Sequence, residues 1–247
     1  MVDYGEIVYP KRMEDFARLA ELSGSDKYSH HGYHRFYPYH LERFRQFEGN
    51  ILEIGINTGS SLRLWKDYFE KAFIHGADIG FSEEGDRYKV HQVDQSDRND
   101  LDRLCKAVGQ AFFVIDDGSH IPGHQISSFD IIFNSIVEPG GIYIIEDIEV
   151  SYWRRGELYG YKTEYGIHAS NNLIEVCKDL IEVINIEFVN DNDRSCLFEK
   201  LSANGFRRET IGQIASVEFC HNCIILRKKY SWENQYSQRS YRSSCNT

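Results

Sequence analysis

Short apolar runs recur along the chain, and several of them stop abruptly in acids. Asn50 to Ile54, Phe73 to Ile79, Tyr88 to Val93, Phe112 to Ile115 and Ile142 to Ile145 have the length and the β-branched and aromatic content of buried strands. Between them the apolar positions change to helical spacing. Met13, Phe16, Leu19 and Ala20 mark a helix over 11–22, and Leu101, Leu104 and Val108 mark a second. Ile126, Phe129, Phe133 and Ile136 mark a third, and a fourth is expected from Ser170 to Val183. Pro139-Gly140-Gly141 should turn the chain into the Ile142 strand. Strand and helix in alternation imply an α/β fold: a Rossmann-like sheet, mostly parallel, with helices on both faces. Toward the C-terminus, Phe188 to Leu197 is expected as a further strand and Ser216 to Lys229 as a last, antiparallel one. Glu149 to His168 is expected as a long loop. The organisation follows as an N-terminal helix with a His/Tyr-rich cap (1–45), one α/β domain (46–230) and a polar, loose tail (231–247).

The strand ends are where chemistry is expected, because open parallel sheets bind ligands beyond the carboxyl ends of their strands. After Ile54 the chain reads Gly55-Ile56-Asn57-Thr58-Gly59-Ser60, a strand, a glycine-bearing turn and a helix start. Glycines let the backbone approach a ligand closely, and amides at a helix start favour acceptor groups. The spacing fits neither the dinucleotide fingerprint nor a phosphate loop, which makes a dehydrogenase improbable. Asp78 ends the second strand 25 positions after Glu53, where an acid accepts hydrogen bonds from ribose hydroxyls. Asp94 and Gln95 end the third strand, within reach of a base edge. Asp116-Asp117-Gly118-Ser119-His120 and Glu146-Asp147 end the next two. Carboxylates converging on one edge repel unless a cation intervenes, so Asp117, Glu146 and Asp147 suit Mg²⁺ or another divalent cation. Asp116 is expected to face the cofactor instead. His120, beside a glycine and three residues past Asp117, is the candidate general base, since imidazole titrates near neutral pH.

Two other segments are candidates for substrate contact. Gly24 to His40 holds four of the ten histidines and four tyrosines, a density that suggests a flap over the site and makes His31 and Tyr37 substrate candidates. Trp153 in the aromatic loop is a third.

Composition narrows the partners. A formal net charge of -10 argues against a nucleic-acid backbone. No run approaches the roughly 20 apolar residues of a membrane helix, and the N-terminus shows no secretory pattern, so a cytoplasmic location is expected. The six scattered cysteines read as reduced thiols, Cys220-His221-Asn222-Cys223 included, because no second pair completes a zinc set. Self-association through the N-terminal helix is compatible with its amphipathic face.

Taken together, Leu52-Glu53-Ile54-Gly55-Ile56-Asn57-Thr58-Gly59-Ser60-Ser61-Leu62, Asp116-Asp117-Gly118-Ser119-His120 and Ile144-Ile145-Glu146-Asp147 resemble the metal-dependent sugar O-methyltransferases of macrolide biosynthesis, the mycinamicin and macrocin type. Gly24-Ser25-Asp26-Lys27 is similar to that family's Gly-Thr-Asp-Lys segment. The resemblance covers roughly residues 24 to 150, with Asn57 replacing the middle glycine of the first turn. It implies a class I methyltransferase sheet, S-adenosylmethionine held around Glu53, Gly55 and Asp78, and Asp117, Glu146 and Asp147 as Mg²⁺ ligands. It further implies His120 as base and a hydroxyl acceptor on a small molecule or glycan. The same Asp-Asp-Gly-Ser-His pattern is similar to proteins known as cephalosporin hydroxylases, which keeps an oxygenase open as an alternative. A non-catalytic nucleoside-binding module is another.

Overall fold

The computed structural model describes residues 11–154 and 165–233. Its centre is an eight-stranded sheet. Strands β1 (Asn50–Ile54), β2 (Phe73–Asp78), β3 (Glu83–Gly85), β4 (Tyr88–Gln92), β5 (Ala111–Asp116), β6 (Val137–Glu146), β7 (Ile214–Cys220) and β8 (Cys223–Lys228) lie in the order β3-β4-β2-β1-β5-β6-β8-β7. The run from β4 to β6 is parallel, while β3, and β8 against both its neighbours, pair antiparallel. From β1 the chain winds outward through β2 to β4, then returns to β5 on the other side of β1. The switch point between β1 and β5 leaves a crevice at their carboxyl ends, the usual ligand position in such sheets.

Alternation along the strands sorts their side chains onto two faces. Leu52, Ile54, Val114, Tyr143 and Ile145 face α5 (Arg98–Val108), α6 (Pro122–Ser135) and α7 (Leu173–Ile184). Ile51, Phe113, Ile115, Ile142 and Ile144 face the other way, toward Phe16 of α1 (Lys11–Ser23), Tyr37 of α3 (Tyr37–Leu41) and Trp65 of α4 (Ser60–Tyr68). The same parity distributes the acids. Glu53 and Glu146 fall on the face of the N-terminal helices, and Asp116 falls on the face of α6.

Three expectations change. The residues from Phe188 to Leu197 form no strand: a 3₁₀ turn covers Ile186–Phe188 and α8 runs from Asp191 to Ala203. The local sequence accounts for this, since Asn190 caps the helix through a bond from the Asp193 amide and Asp191 and Asp193 place negative charge in its first turn. Pro139-Gly140-Gly141 lies inside β6, not in a turn before it. The Ser216 to Lys229 stretch is a hairpin, β7 and β8 joined through His221-Asn222, with Asn222 in the left-handed region (φ 58). The aromatic loop falls partly, and the polar tail mostly, outside the described residues. Among the described residues no helix is long and apolar enough to cross a membrane, and Cys105, Cys177, Cys196, Cys220 and Cys223 are free thiols.

The segment at Arg207 is tied to α6 through Asp130. Asp130, almost fully buried, accepts from the Arg207 amide at 2.9 Å and from its guanidinium at 2.6 Å. Asp130→Ala is expected to cost about 2 kcal/mol, because the half-buried Arg207 loses a charge-assisted partner through both its amide and its guanidinium. A thermal melt should show a fall of about 4–8 °C, and an unchanged midpoint would remove the anchoring role.

Candidate active site

At the carboxyl ends of β1, β2 and β5 lies a cavity of about 770 Å³. Its first half is the turn after β1. Gly55 (φ 87), Asn57 (φ 49) and Gly59 (φ 75) all have positive φ. Asn57 stands where the family pattern has its middle glycine, and asparagine is among the few side chains that tolerate this region. A side chain at Gly55 would fall on the Asp117 carbonyl, so the two loops meet backbone to backbone. Asp78 fixes the turn: one oxygen accepts from the amides of Ile56 (3.1 Å) and Asn57 (3.0 Å), the other from Gly80 (2.8 Å). Asp78, Asp94, Gln95, Asn57 and Ser60 all line the cavity. So does Ile79, an apolar side chain left 68% exposed, which nothing in the sequence marked.

Gln95 does more than line it. Its Nε2 donates to Asp116 Oδ1 (2.7 Å) and Ser128 Oγ (2.9 Å), and its Oε1 accepts from the Ser119 amide (2.8 Å). Asp116 itself is fully buried, accepts further from Ser128 and Tyr143, and is not part of the cavity wall. Burial raises its pKa against the hydrogen bonds from Ser128 and Gln95. Placed there, Asp116 and Gln95 shape the Asp117–His120 loop from beneath.

The second half of the cavity is acidic. Asp117, His120 and Asp147 each offer one ligand atom, and these lie within 4.8 Å of one another. His120 Nε2 is 4.0 Å from Asp147 Oδ2. His120 (φ 58) and Asp147 (φ 51) both adopt the left-handed region, an uncommon conformation for such residues that is concentrated at functional sites. The other oxygen of Asp147 is held by Tyr33 Oη (2.9 Å) and Asn222 Nδ2 (3.0 Å), with His31 Nδ1 at 3.3 Å. Burial and the neighbouring Asp117 charge raise the Asp147 pKa, with His31 and His120 opposing. His31 stacks on Tyr33 at 5.1 Å, and although burial works against its cationic form, Asp26 and Asp147 leave its pKa raised.

Glu146 is placed differently. It is 1% exposed, one oxygen accepts from Lys27 Nζ at 2.7 Å, and the other accepts from Tyr37 Oη. Burial pushes its pKa well up. Glu53 is fully buried beside the same ammonium, at 3.4 Å. Glu53, Asp116, Glu146 and Tyr37 therefore stand behind the cavity wall, and Trp153, half-exposed after a 3₁₀ turn over Ile148–Tyr152, does not line it. The His/Tyr segment is built of helical turns: Tyr33 and Tyr37 are core side chains, and Gly24, Ser25, Asp26, His30 and His31 supply the cavity's outer wall.

No family model matches the chain. It is 40% identical over 146 residues to the 8-demethyl-8-alpha-L-rhamnosyl tetracenomycin-C 2'-O-methyltransferase of Streptomyces olivaceus, covering 56% of this chain and 38% of that one. It is 35% identical over 152 residues to the mycinamicin VI 2''-O-methyltransferase of Micromonospora griseorubida, covering 58% of this chain and 38% of that one. The chain thus spans well under half the length of these curated relatives. Its structure superposes on the methyltransferase MycE of the mycinamycin biosynthetic pathway, solved in complex with Mg, SAH and mycinamycin VI, with TM-score 0.73 and 26% identity. That match covers 93% of this chain and 57% of the other. The fold is that of the class I methyltransferases.

The glycine turn and the acidic loop share one continuous crevice. The crevice suits a nucleoside cofactor on three counts: a turn whose positive-φ glycines bring backbone to its wall, acids at the ends of β2 and β4, and the apolar Ile79. The carboxylates of Asp117 and Asp147 suit an oxygen-preferring divalent cation, and the His120 imidazole stands beside them. What the sequence did not reveal is the support around these groups. Lys27 stands out only as part of the Gly24 to Lys27 segment, with no partner assigned, and Asn222 is 75 residues from the aspartate it bonds.

Proposed function

We propose that the protein is an S-adenosylmethionine- and Mg²⁺-dependent O-methyltransferase acting on a hydroxyl of a sugar, carried by a small glycosylated natural product or a glycan. The observation that supports this best is the single crevice that places the glycine turn and Asp78 at one end and Asp117, His120 and Asp147 at the other. Two relatives and MycE bear names of the same chemistry.

In this reading Asp117 and Asp147 would hold the cation, and Glu146 supports them from behind. A bound divalent ion supplies charge that lowers the pKa of an acceptor hydroxyl and fixes its direction. His120 Nε2 accepts the hydroxyl proton as oxygen attacks the methyl carbon in line. The carbon–sulfur bond of the sulfonium breaks, and a neutral thioether leaves. The chain contributes position as well: Gly55, Asn57 and Ser60 orient the cofactor, and His30 and His31 flank the acceptor side. Holding two reactants in line removes much of the entropic barrier.

Chelation tests the metal. Excess EDTA should abolish methyl transfer to a rhamnosyl or deoxysugar acceptor, followed by mass spectrometry, and Mg²⁺ should restore it. Full activity in EDTA would make the acid cluster structural. An oxygenase has one observation in its favour, since His31 brings a second imidazole to Asp147. It predicts iron- and dioxygen-dependent gain of oxygen with no methylated product, which the same assay distinguishes.

A further inference from the structure

Lys27 is fully buried, and its ammonium is the meeting point of three carboxylates from three strand ends. Nζ lies 2.7 Å from Glu146 Oε2, 2.9 Å from Asp117 Oδ2 and 3.4 Å from Glu53 Oε1. The residue sits in α2 (Asp26–Ser29), which follows Gly24 and Ser25 of the outer wall, so one side chain links the cap to β1, β5 and β6. The cost of burying a charge there is met by direct contact, since the ammonium donates to both Glu146 and Asp117 with Glu53 beside it. Two of its partners, Glu53 and Glu146, do not reach the cavity, while the third, Asp117, does.

We infer that Lys27 is a positioning residue: a built-in counter-ion that neutralises Glu53 and Glu146 behind the cavity, holds one oxygen of Asp117, and so sets how strongly the acid cluster draws a divalent cation. This rests on the reading that Asp117 and Asp147 hold such a cation. A fixed positive charge beside the ligands weakens cation binding, and in return it keeps mutually repelling carboxylates in one arrangement. Lys27 therefore trades affinity for geometry.

Mn²⁺ alone serves as the probe, with bound and free ion separated by electron paramagnetic resonance on the purified full chain. Removing the ammonium in Lys27→Met should tighten Mn²⁺ at least about tenfold while methyl transfer falls. Glu53→Gln, which removes an acid that does not face the cavity, should weaken Mn²⁺ severalfold. The double variant restores the charge balance and should return to within about threefold of the unaltered protein. Opposite signs are the signature, because a merely structural lysine would lower the melting temperature without them. Glu53→Gln and the double variant decide the matter even if Lys27→Met does not fold. Mn²⁺ affinity unchanged in Glu53→Gln, or weakened in Lys27→Met, overturns the inference and leaves the functional reading standing. Failure of the unaltered protein to bind Mn²⁺ overturns that reading itself.

Discussion

On the proposed function, His120→Asn is expected to lower methyl transfer by about 10²–10⁴-fold, the range that a positioned general base contributes, while S-adenosylhomocysteine should bind within about twofold of its normal affinity. Asparagine is the informative replacement. His120 sits at φ 58, where asparagine is tolerated and alanine adds strain of about 1–2 kcal/mol. His120→Ala therefore confounds loss of the base with a shift of the loop that Asp117 shares. Turnover and calorimetric cofactor titration on both variants separate the two. If the His120→Asn variant loses cofactor affinity as steeply as turnover, His120 is a structural residue of the loop and the proton goes elsewhere.

The second large effect is at Gly55. Gly55→Ala would need a left-handed alanine and would drive its Cβ onto the Asp117 carbonyl, backbone that has no rotamer to yield. Strain and overpacking together cost about 3 kcal/mol, a fall of about 6–12 °C in melting temperature for a chain of this size. The pushed loop carries Asp117 and His120, so cofactor binding and Mn²⁺ binding should fail together. Gly59→Ala is the control. It shares the positive φ, but its nearest neighbours are 3.9 Å away, so it bears the backbone strain alone, about 1 kcal/mol. Equal melting temperatures for the two variants would show that the close approach at Gly55 carries no weight.

What could be read in the sequence depended on whether a signal was local. Strand runs such as Phe112 to Ile115 and helix spacings such as Ile126, Phe129 and Phe133 are local, and they gave the parallel sheet with its helices. The Asp117 to His120 loop announced itself because polar residues follow a buried run. Other features depended on parity and on contacts between distant segments. Asp116 and Asp117 are adjacent and look equivalent, yet the strand pleat sends the first into α6 and leaves the second at the cavity. Glu146 and Asp147 divide too, the first turned by the pleat toward the N-terminal helices and the second, past the strand end at φ 51, lining the cavity. Tyr37 resembled a flap residue because hydrogen-bonding rings are common at sites, whereas its ring is packed near Phe16 and Trp65 and its hydroxyl serves a buried acid. Helix α8 was hidden behind the apolar content at Phe188 and Leu197, which suggests a strand until the cap at Asn190 is given its due.

The hairpin of β7 and β8 has a consequence for synthesis. Asn222 grips Asp147 from 75 residues downstream, and β8 pairs with the strand that carries Glu146. Once Asp147 has been added, every side chain proposed to bind the cation has been made, but not the clamp that orients one of them. The nascent chain therefore completes this geometry late, and a chain truncated before Ile214 would hold every one of those groups without the Asn222 contact.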